Sequence, residues 1–211
     1  MHFSILKPTE NRNLKKAVLT ILLVLIADQA LKIWVKTHLL IGEEIHILGN
    51  YFIIHFTENN GMAFGFQFGG QLGKLFLSVF RIVAVLGIGW YLLKLIKENT
   101  PTIVIITLSL IFAGAIGNII DSICYGIIFN DSYNQIATFM PEQGYASLLH
   151  GRVVDMLYFP IIQGHFPSWF PLWASEEFIF FRPVFNLADA AITIGVFLIL
   201  IFQKQFFTQT I

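Results

Sequence analysis

Charge is what this chain has least of. Only 12% of its 211 residues are Asp, Glu, Lys or Arg, against roughly a quarter in soluble domains. The 13 basic and 13 acidic side chains cancel to a formal net charge of zero. That balance leaves nothing to suggest a nucleic-acid partner. Cysteine occurs once, as Cys124, which excludes an internal disulfide and a multi-cysteine metal site. In its apolar run it reads as a small buried hydrophobe. The six histidines are scattered without metal-ligand spacing. G-x-S-x-G, H-E-x-x-H, Walker A and G-x-G-x-x-G runs are missing too, as are repeats, heptads and low-complexity tracts.

Hydrophobic residues make up 56% of the chain, with a mean hydropathy of +0.72. A membrane-spanning helix needs about 20 mainly apolar residues. Four runs qualify, at 17–35, 75–96, 102–123 and 184–202. The first follows Lys7, Arg12, Lys15 and Lys16, as in a secretory leader. It is too long for a leader core, carries Asp28, and lacks a small-residue cleavage site, so it reads as a retained span. Basic residues near the helix ends set orientation. The N-terminal cluster, Lys94, Lys97 and Lys204 are compact; Lys36, Lys74, Arg152 and Arg182 are spread over long loops. Both termini are therefore expected in the cytoplasm, with segments 38–73 and 125–182 outside. The fold expected is one α-helical integral membrane domain over 1–211 with four transmembrane helices. In the first outer segment, two β-rich runs flank Gly49-Asn50, which predicts a hairpin. The second begins with a polar insertion around 129–150, expected to be mobile. It continues into "FPSWFPLWASEEFIFFRP", whose Trp and Phe suit an interfacial belt.

The few polar residues inside these runs are informative. An ionised Asp at the centre of a membrane helix costs about 2.5–3.5 kcal/mol on insertion scales. Asp28 and Lys32 are four apart and share a helix face. Asn118, Asp121 and Tyr125 form a second stripe, with Gly114 and Gly117 beside it to permit close helix approach. Asn186, Asp189 and Thr193 form a third, at the same depth. Asp155, in "GRVVDMLYF", lies in the loop just before the aromatic belt and is placed to approach the same point. Each stripe has a structural alternative: an ion pair for Asp28 and Lys32, interhelical hydrogen bonding for Asn118 and Asp121, a helix-end acid for Asp189, an ordinary loop residue for Asp155. Their convergence suggests one wet pocket. Two aspartates sharing a site cannot both ionise easily, so one keeps a proton and the pair holds an acid and a base. Such a pair activates water against an amide carbonyl and protonates the leaving nitrogen. Asp155 and Asp189 are the candidate pair. A small transporter or ion-binding membrane protein would also use intramembrane acids, and a non-catalytic scaffold would use them only structurally.

Five runs carry a resemblance: "DQALK" (28–32), "NNGMAFG" (59–65), "GAIGNIID" (114–121), "VVDM" (153–156) and "FNLADAAI" (185–192). In this order, they resemble the lipoprotein signal peptidases, or signal peptidase II, of bacterial inner membranes. The resemblance touches all four apolar runs and both outer segments. It implies a four-helix aspartic endopeptidase that cleaves diacylglyceryl-modified prolipoproteins just before the lipidated cysteine. It makes Asp155 and Asp189 the catalytic dyad. Asn59, Gly61, Asn118, Asp121 and Asn186 then shape or contact the site, with Asp28 and Lys32 in support. The implied partners are the lipidated precursor and membrane lipids; the enzyme is expected to act as a monomer and needs no cofactor. Two departures stand out. The family's usual arginine after the third run is Ser122 here, which makes Arg152 the expected compensating cation for substrate. The segment before "VVD" is also longer than usual.

Overall fold

The computed structural model describes residues 8–59, 70–169, 171–173, 175–180 and 183–207. Three of its helices are long and apolar enough to cross a membrane. They are α1 (Pro8–His38), α2 (Gly70–Lys97) and α3 (Thr102–Ile120). Helix α3 runs on through a π-helical turn (Asp121–Tyr125) into the short α4 (Gly126–Ile128). The last apolar run differs from expectation. Val184–Phe185 forms a strand, and helix α5 covers Leu187–Ile201, 15 residues. At 1.5 Å per residue it is about 22 Å long, followed by the short α6 (Gln203–Phe207). A continuous apolar run does not announce where strand gives way to helix; here Asn186, an N-cap in extended conformation, marks the change.

The chain also builds more sheet than expected. Strands β1 (Glu44–Leu48), β2 (Phe52–Asn59), β3 (Val153–Tyr158) and β6 (Val184–Phe185) form one sheet in the order β1-β2-β3-β6, with every pairing antiparallel. The β1–β2 hairpin turns at Gly49-Asn50. Strands β4 (Ile162–His165) and β5 (Glu177–Phe180) make a separate hairpin within the aromatic segment. Asp155, expected on a loop, lies on β3 opposite Thr57. Strand β3 has β-branched and apolar neighbours on both sides of this acid, and its first five residues are buried.

One core cluster joins the sheet to the end of α1. Phe56, Val154 and Met156 are buried with Val35, Leu39, Tyr125 and Phe129. A second, around Ala17, Leu92, Ile96 and Ile105, joins α1, α2 and α3 at their other ends. The insertion expected to be mobile is anchored to the first cluster. Phe129 and Ser132 are fully buried, the Ala137 amide donates to the Lys36 carbonyl at 3.2 Å, and Lys36 Nζ donates to Ser132 Oγ at 2.7 Å. A few anchoring residues hold a segment whose average composition is polar.

Helix α2 separates two faces cleanly. Phe76, Phe80, Val83, Leu86 and Trp90 are exposed on one side, as a lipid-facing stripe requires. The opposite side carries Ser78, Arg81, Val85, Gly89 and Leu92, all buried or half-buried.

Helices α3 and α5 approach more closely than any side chain allows. A Cβ on Gly114 would lie 2.2 Å from the Ala188 carbonyl oxygen, and one on Gly117 would lie 3.1 Å from the Ala188 Cβ. The Gly114→Ala substitution must push α5 away, because the obstacle is backbone. Overpacking of this kind costs about 1–3 kcal/mol, so thermal unfolding in detergent should shift to lower temperature. Gly87, which has open space where its Cβ would go, is the control: Gly87→Ala should leave unfolding unchanged or raise it. Equal melting of wild type and Gly114→Ala would contradict this packing.

Candidate active site

The site is organised by the first turn of α5. Asn186 caps the helix, its Oδ1 accepting from the Asp189 amide at 2.8 Å. This is the bond an N-cap side chain makes to the third helical residue. The other end of the same amide donates to Asp155 Oδ1 at 2.7 Å and to Asn118 Oδ1 at 3.0 Å. One buried asparagine thus fixes Asp189 through its backbone and Asp155 through its carboxylate. Asn59, the last residue of β2, donates to the other Asp155 oxygen. Asp189, in the first turn of α5, also benefits from the positive end of the helix.

Asn118 links this pair to a second layer. Its Nδ2 donates to Asp189 Oδ1 at 2.7 Å, while its Oδ1 accepts from Asn186 and, at 3.1 Å, from Lys32 Nζ. Two donors on the carbonyl side leave the amide one orientation. Lys32 lies fully buried between Asp28 at 2.9 Å and Asp121 at 2.8 Å. Asp28 Oδ1 accepts from the Ala188 amide at 2.9 Å, so a carboxylate from α1 caps the start of α5. Asp121 Oδ2 accepts from the Val154 amide at 3.3 Å, holding β3 beside the acid. Gln29 donates to Asp121 Oδ1 at 2.9 Å and accepts from the Tyr125 hydroxyl at 3.1 Å. Polar groups from α1, α3 and α5 therefore satisfy one another and face away from lipid, as intramembrane acids must.

Asp155 differs from an ordinary carboxylate. Burial pushes the Asp155 carboxyl up to about 7, and the charge of Asp189 adds to the rise; hydrogen bonds from Asn186 and Asn59 and the charge of Lys32 oppose it. A carboxyl that titrates near neutrality beside a second acid can hold or release a proton at working pH.

Of the residues expected from the sequence, Asn59, Asn118, Asn186, Asp28, Lys32 and Asp121 meet Asp155 and Asp189 in this one network. Gly61 lies outside the described residues. Arg152 does not join the network. Its Nη1 donates to Glu58 Oε2 at 3.0 Å and to Asp131 Oδ1 at 2.9 Å, and its guanidinium lies over the Tyr145 ring at 4.7 Å. Side chains alternate along a strand, so a residue three before Asp155 points to the opposite face. There Arg152 holds the Asp131 carboxyl below the usual carboxylate range. Beside it, Lys36 pairs with Glu58, and both are buried. Ser122 donates back to the Asn118 carbonyl at 3.0 Å.

Sequence reasoning missed Arg81. It lies on the inward face of α2, and the charges of Asp189 and, less strongly, Asp155 act on it. The signal was present: a lone arginine seven residues inside an apolar run.

The chain matches the sequence profile of the signal peptidase (SPase) II family over residues 20–205. It is 55% identical over 184 residues to the lipoprotein signal peptidase of Porphyromonas gingivalis, which covers 86% of this chain and 79% of that protein. With the lipoprotein signal peptidase of Amoebophilus asiaticus it shares 40% identity over 193 residues, covering 90% and 78%. A solved structure of a bacterial membrane enzyme superposes with a TM-score of 0.57 at 26% identity, covering 88% of this chain and 90% of that one.

Proposed function

The chain belongs to the signal peptidase II family, and from that membership we infer that it is an aspartic endopeptidase that removes signal peptides from lipid-modified bacterial prolipoproteins. Asp155 and Asp189 are the dyad, and cleavage falls before the lipidated cysteine. The observation that carries this assignment is the Asn186 amide. It binds the Asp155 carboxylate and the Asp189 backbone at once, so the two acids are aligned by a single side chain. The transporter reading has only the presence of acids in its favour.

The reaction follows from one shared proton. Asp155 starts protonated and Asp189 ionised. Asp189 takes a proton from water as the oxygen attacks the scissile carbonyl carbon, and Asp155 gives its proton to the carbonyl oxygen. The tetrahedral diol then collapses. Asp189 passes its proton to the leaving nitrogen, Asp155 recovers one from the diol, and the C–N bond breaks. The dyad ends in its starting state. Asn118 and Asn186 hold the carboxylates in place throughout, which preserves the orientation such a reaction requires.

The same reading places the protein in the bacterial cytoplasmic membrane with both termini inside and the dyad near the outer face. The basic residues at 12, 15, 16, 94, 97 and 204 support that orientation. Residues from 184 onward complete a fourth crossing, supported by the apolar character of α5. Exposed Trp169, Leu172 and Trp173 of the aromatic segment suit the headgroup layer. A substrate entering from the outer leaflet would keep its acyl chains in lipid while its peptide meets the dyad. Both acids and the three asparagines that bind them come from one chain, which supports a monomer.

The test is cleavage of a purified diacylglyceryl-modified precursor in detergent, with the products identified by mass. The expected cut lies before the lipidated cysteine, and unmodified precursor stays intact. Because the Asp155 proton is held up to about 7, the rate should fall as pH rises through that region, with apparent values belonging to the pair. An intact lipidated precursor would refute the activity. A rate unchanged to pH 9 would remove Asp155 as the protonated member.

A further inference from the structure

We propose that Arg81 is the counter-cation of the aspartate pair, a positioning residue that acts from α2 on the charge the dyad carries through the reaction. The proposal rests on the peptidase reading and adds a residue to it.

Helical register is the first argument. Lys74, Ser78, Arg81, Val85, Gly89 and Leu92 recur at spacings of three and four and so lie on one face of α2. Both ends of that face are fixed against protein. Lys74 Nζ donates to the His150 carbonyl at 2.8 Å and Ser78 Oγ to the Leu149 carbonyl at 3.3 Å. Further along, a Cβ on Gly89 would lie 2.8 Å from the Phe112 ring of α3. Arg81 stands between these contacts, one turn deeper than the segment that leads into β3, and is half-buried. Its face is therefore the one turned to the protein interior, with lipid on the other.

Charge accounting is the second. An arginine stays protonated in proteins and in a membrane needs an anion. The carboxylates that act on Arg81 are Asp189 first and Asp155 second. Among the described residues, two other cations near the site have nearer partners of their own. Lys32 is shared among Asp28, Asp121 and the Asn118 carbonyl. Arg152 is turned to Glu58 and Asp131. A dyad holding one proton carries one negative charge, which Arg81 matches.

The consequence is specific to the mechanism. The negative charge sits on Asp189 before water attack and on Asp155 after it. A cation in the field of both offsets that charge in either state, and its removal leaves a buried anion that must be balanced by an extra proton. The dyad then has no base. The loss falls on the chemical step, because lipidated precursor is still held by its acyl chains and peptide.

The experiment measures kcat and KM separately for wild type, Arg81→Gln and Arg81→Lys on the same lipidated precursor, with Asp189→Asn as an inactive reference. Arg81→Gln should lower kcat roughly 100-fold, the scale on which single electrostatic groups act, with KM within about threefold. Arg81→Lys keeps the charge and should recover to within roughly tenfold of wild type. The proposal is overturned if Arg81→Gln turns over at the wild-type rate, if its loss lies in KM, or if folded Arg81→Lys is no better than Arg81→Gln. Should Arg81→Gln not accumulate in the membrane, Arg81→Lys decides alone: turnover supports the proposal, and a folded but inactive protein overturns it. Wild type that cuts the precursor isolates this outcome from failure of the peptidase reading itself.

Discussion

Asp155→Asn and Asp189→Asn are each expected to lose cleavage by roughly 10³–10⁴-fold in kcat, and the double variant should be little worse than either. The reason is the shared proton. Each acid both gives and receives a proton within one turnover, so removing either titration stops the cycle, and residues acting as one unit are non-additive. The two substitutions differ in structural cost. Both Asp155 oxygens accept from an amide, one from Asn186 and one from Asn59. An asparagine there offers one oxygen, so one of those donors loses its acceptor, at about 1–3 kcal/mol when buried. Charge works the other way. Asp155 titrates at about 7 when folded against 3.8 as a free side chain. Its contribution is favourable below pH 4 and is lost as pH rises through about 7, because ionising a buried carboxyl then opposes folding. The thermal stability of Asp155→Asn relative to wild type should therefore improve between about pH 4 and about pH 8, while activity stays absent. Glu43→Gln and Glu44→Gln, both exposed, serve as controls that keep turnover. Glu58 is unsuitable for that purpose, being buried between Lys36 and Arg152. Turnover at the same bond in Asp189→Asn would defeat the aspartic mechanism.

The parts of this molecule that sequence made legible are those with a local signal. Long apolar runs announced α1, α2 and α3, and Gly49-Asn50 announced the β1–β2 hairpin. The central sheet was not legible, because β2, β3 and β6 are separated by residues 60–152 and 159–183. Strand β6 is two residues long and hides at the front of an apolar run. The stripes on the three helices pointed to a shared pocket, but spacing alone did not name a reaction. Asp155 was singled out by its place beside the aromatic belt and again by the "VVDM" resemblance, while its strand was taken for a loop. Arg152 shows how misleading sequence proximity is: three positions from the acid, it faces Asp131 and Glu58. Arg81 is the opposite case, distant in sequence and turned to the protein interior by helix register.

Lys32→Met is the second variant with a large expected effect, and it separates support from chemistry. Methionine matches the length of lysine but leaves Asp28 and Asp121 facing each other in a buried site without their cation. Breaking a buried ion pair by removing one partner costs about 3–5 kcal/mol. For a chain of this size that corresponds to a fall in melting temperature of roughly 10 °C. The damage also spreads along the network. The Asn118 carbonyl loses one of the two donors that fix its amide, so the donation to Asp189 weakens. Asp28, which caps the Ala188 amide, loses the charge that holds it at the start of α5. Activity measured below the new melting temperature should thus fall further than the unfolded fraction explains. A second substitution distinguishes the two effects. Lys32→Met combined with Asp121→Asn removes one unpaired charge and should recover a large part of the melting temperature. It does not restore the donor to Asn118, so cleavage should stay low. Wild-type melting and turnover in Lys32→Met would mean that the triad is dispensable. Recovery of cleavage along with stability in the double variant would mean that Lys32 acts only by holding the fold, and not by orienting Asn118 toward Asp189.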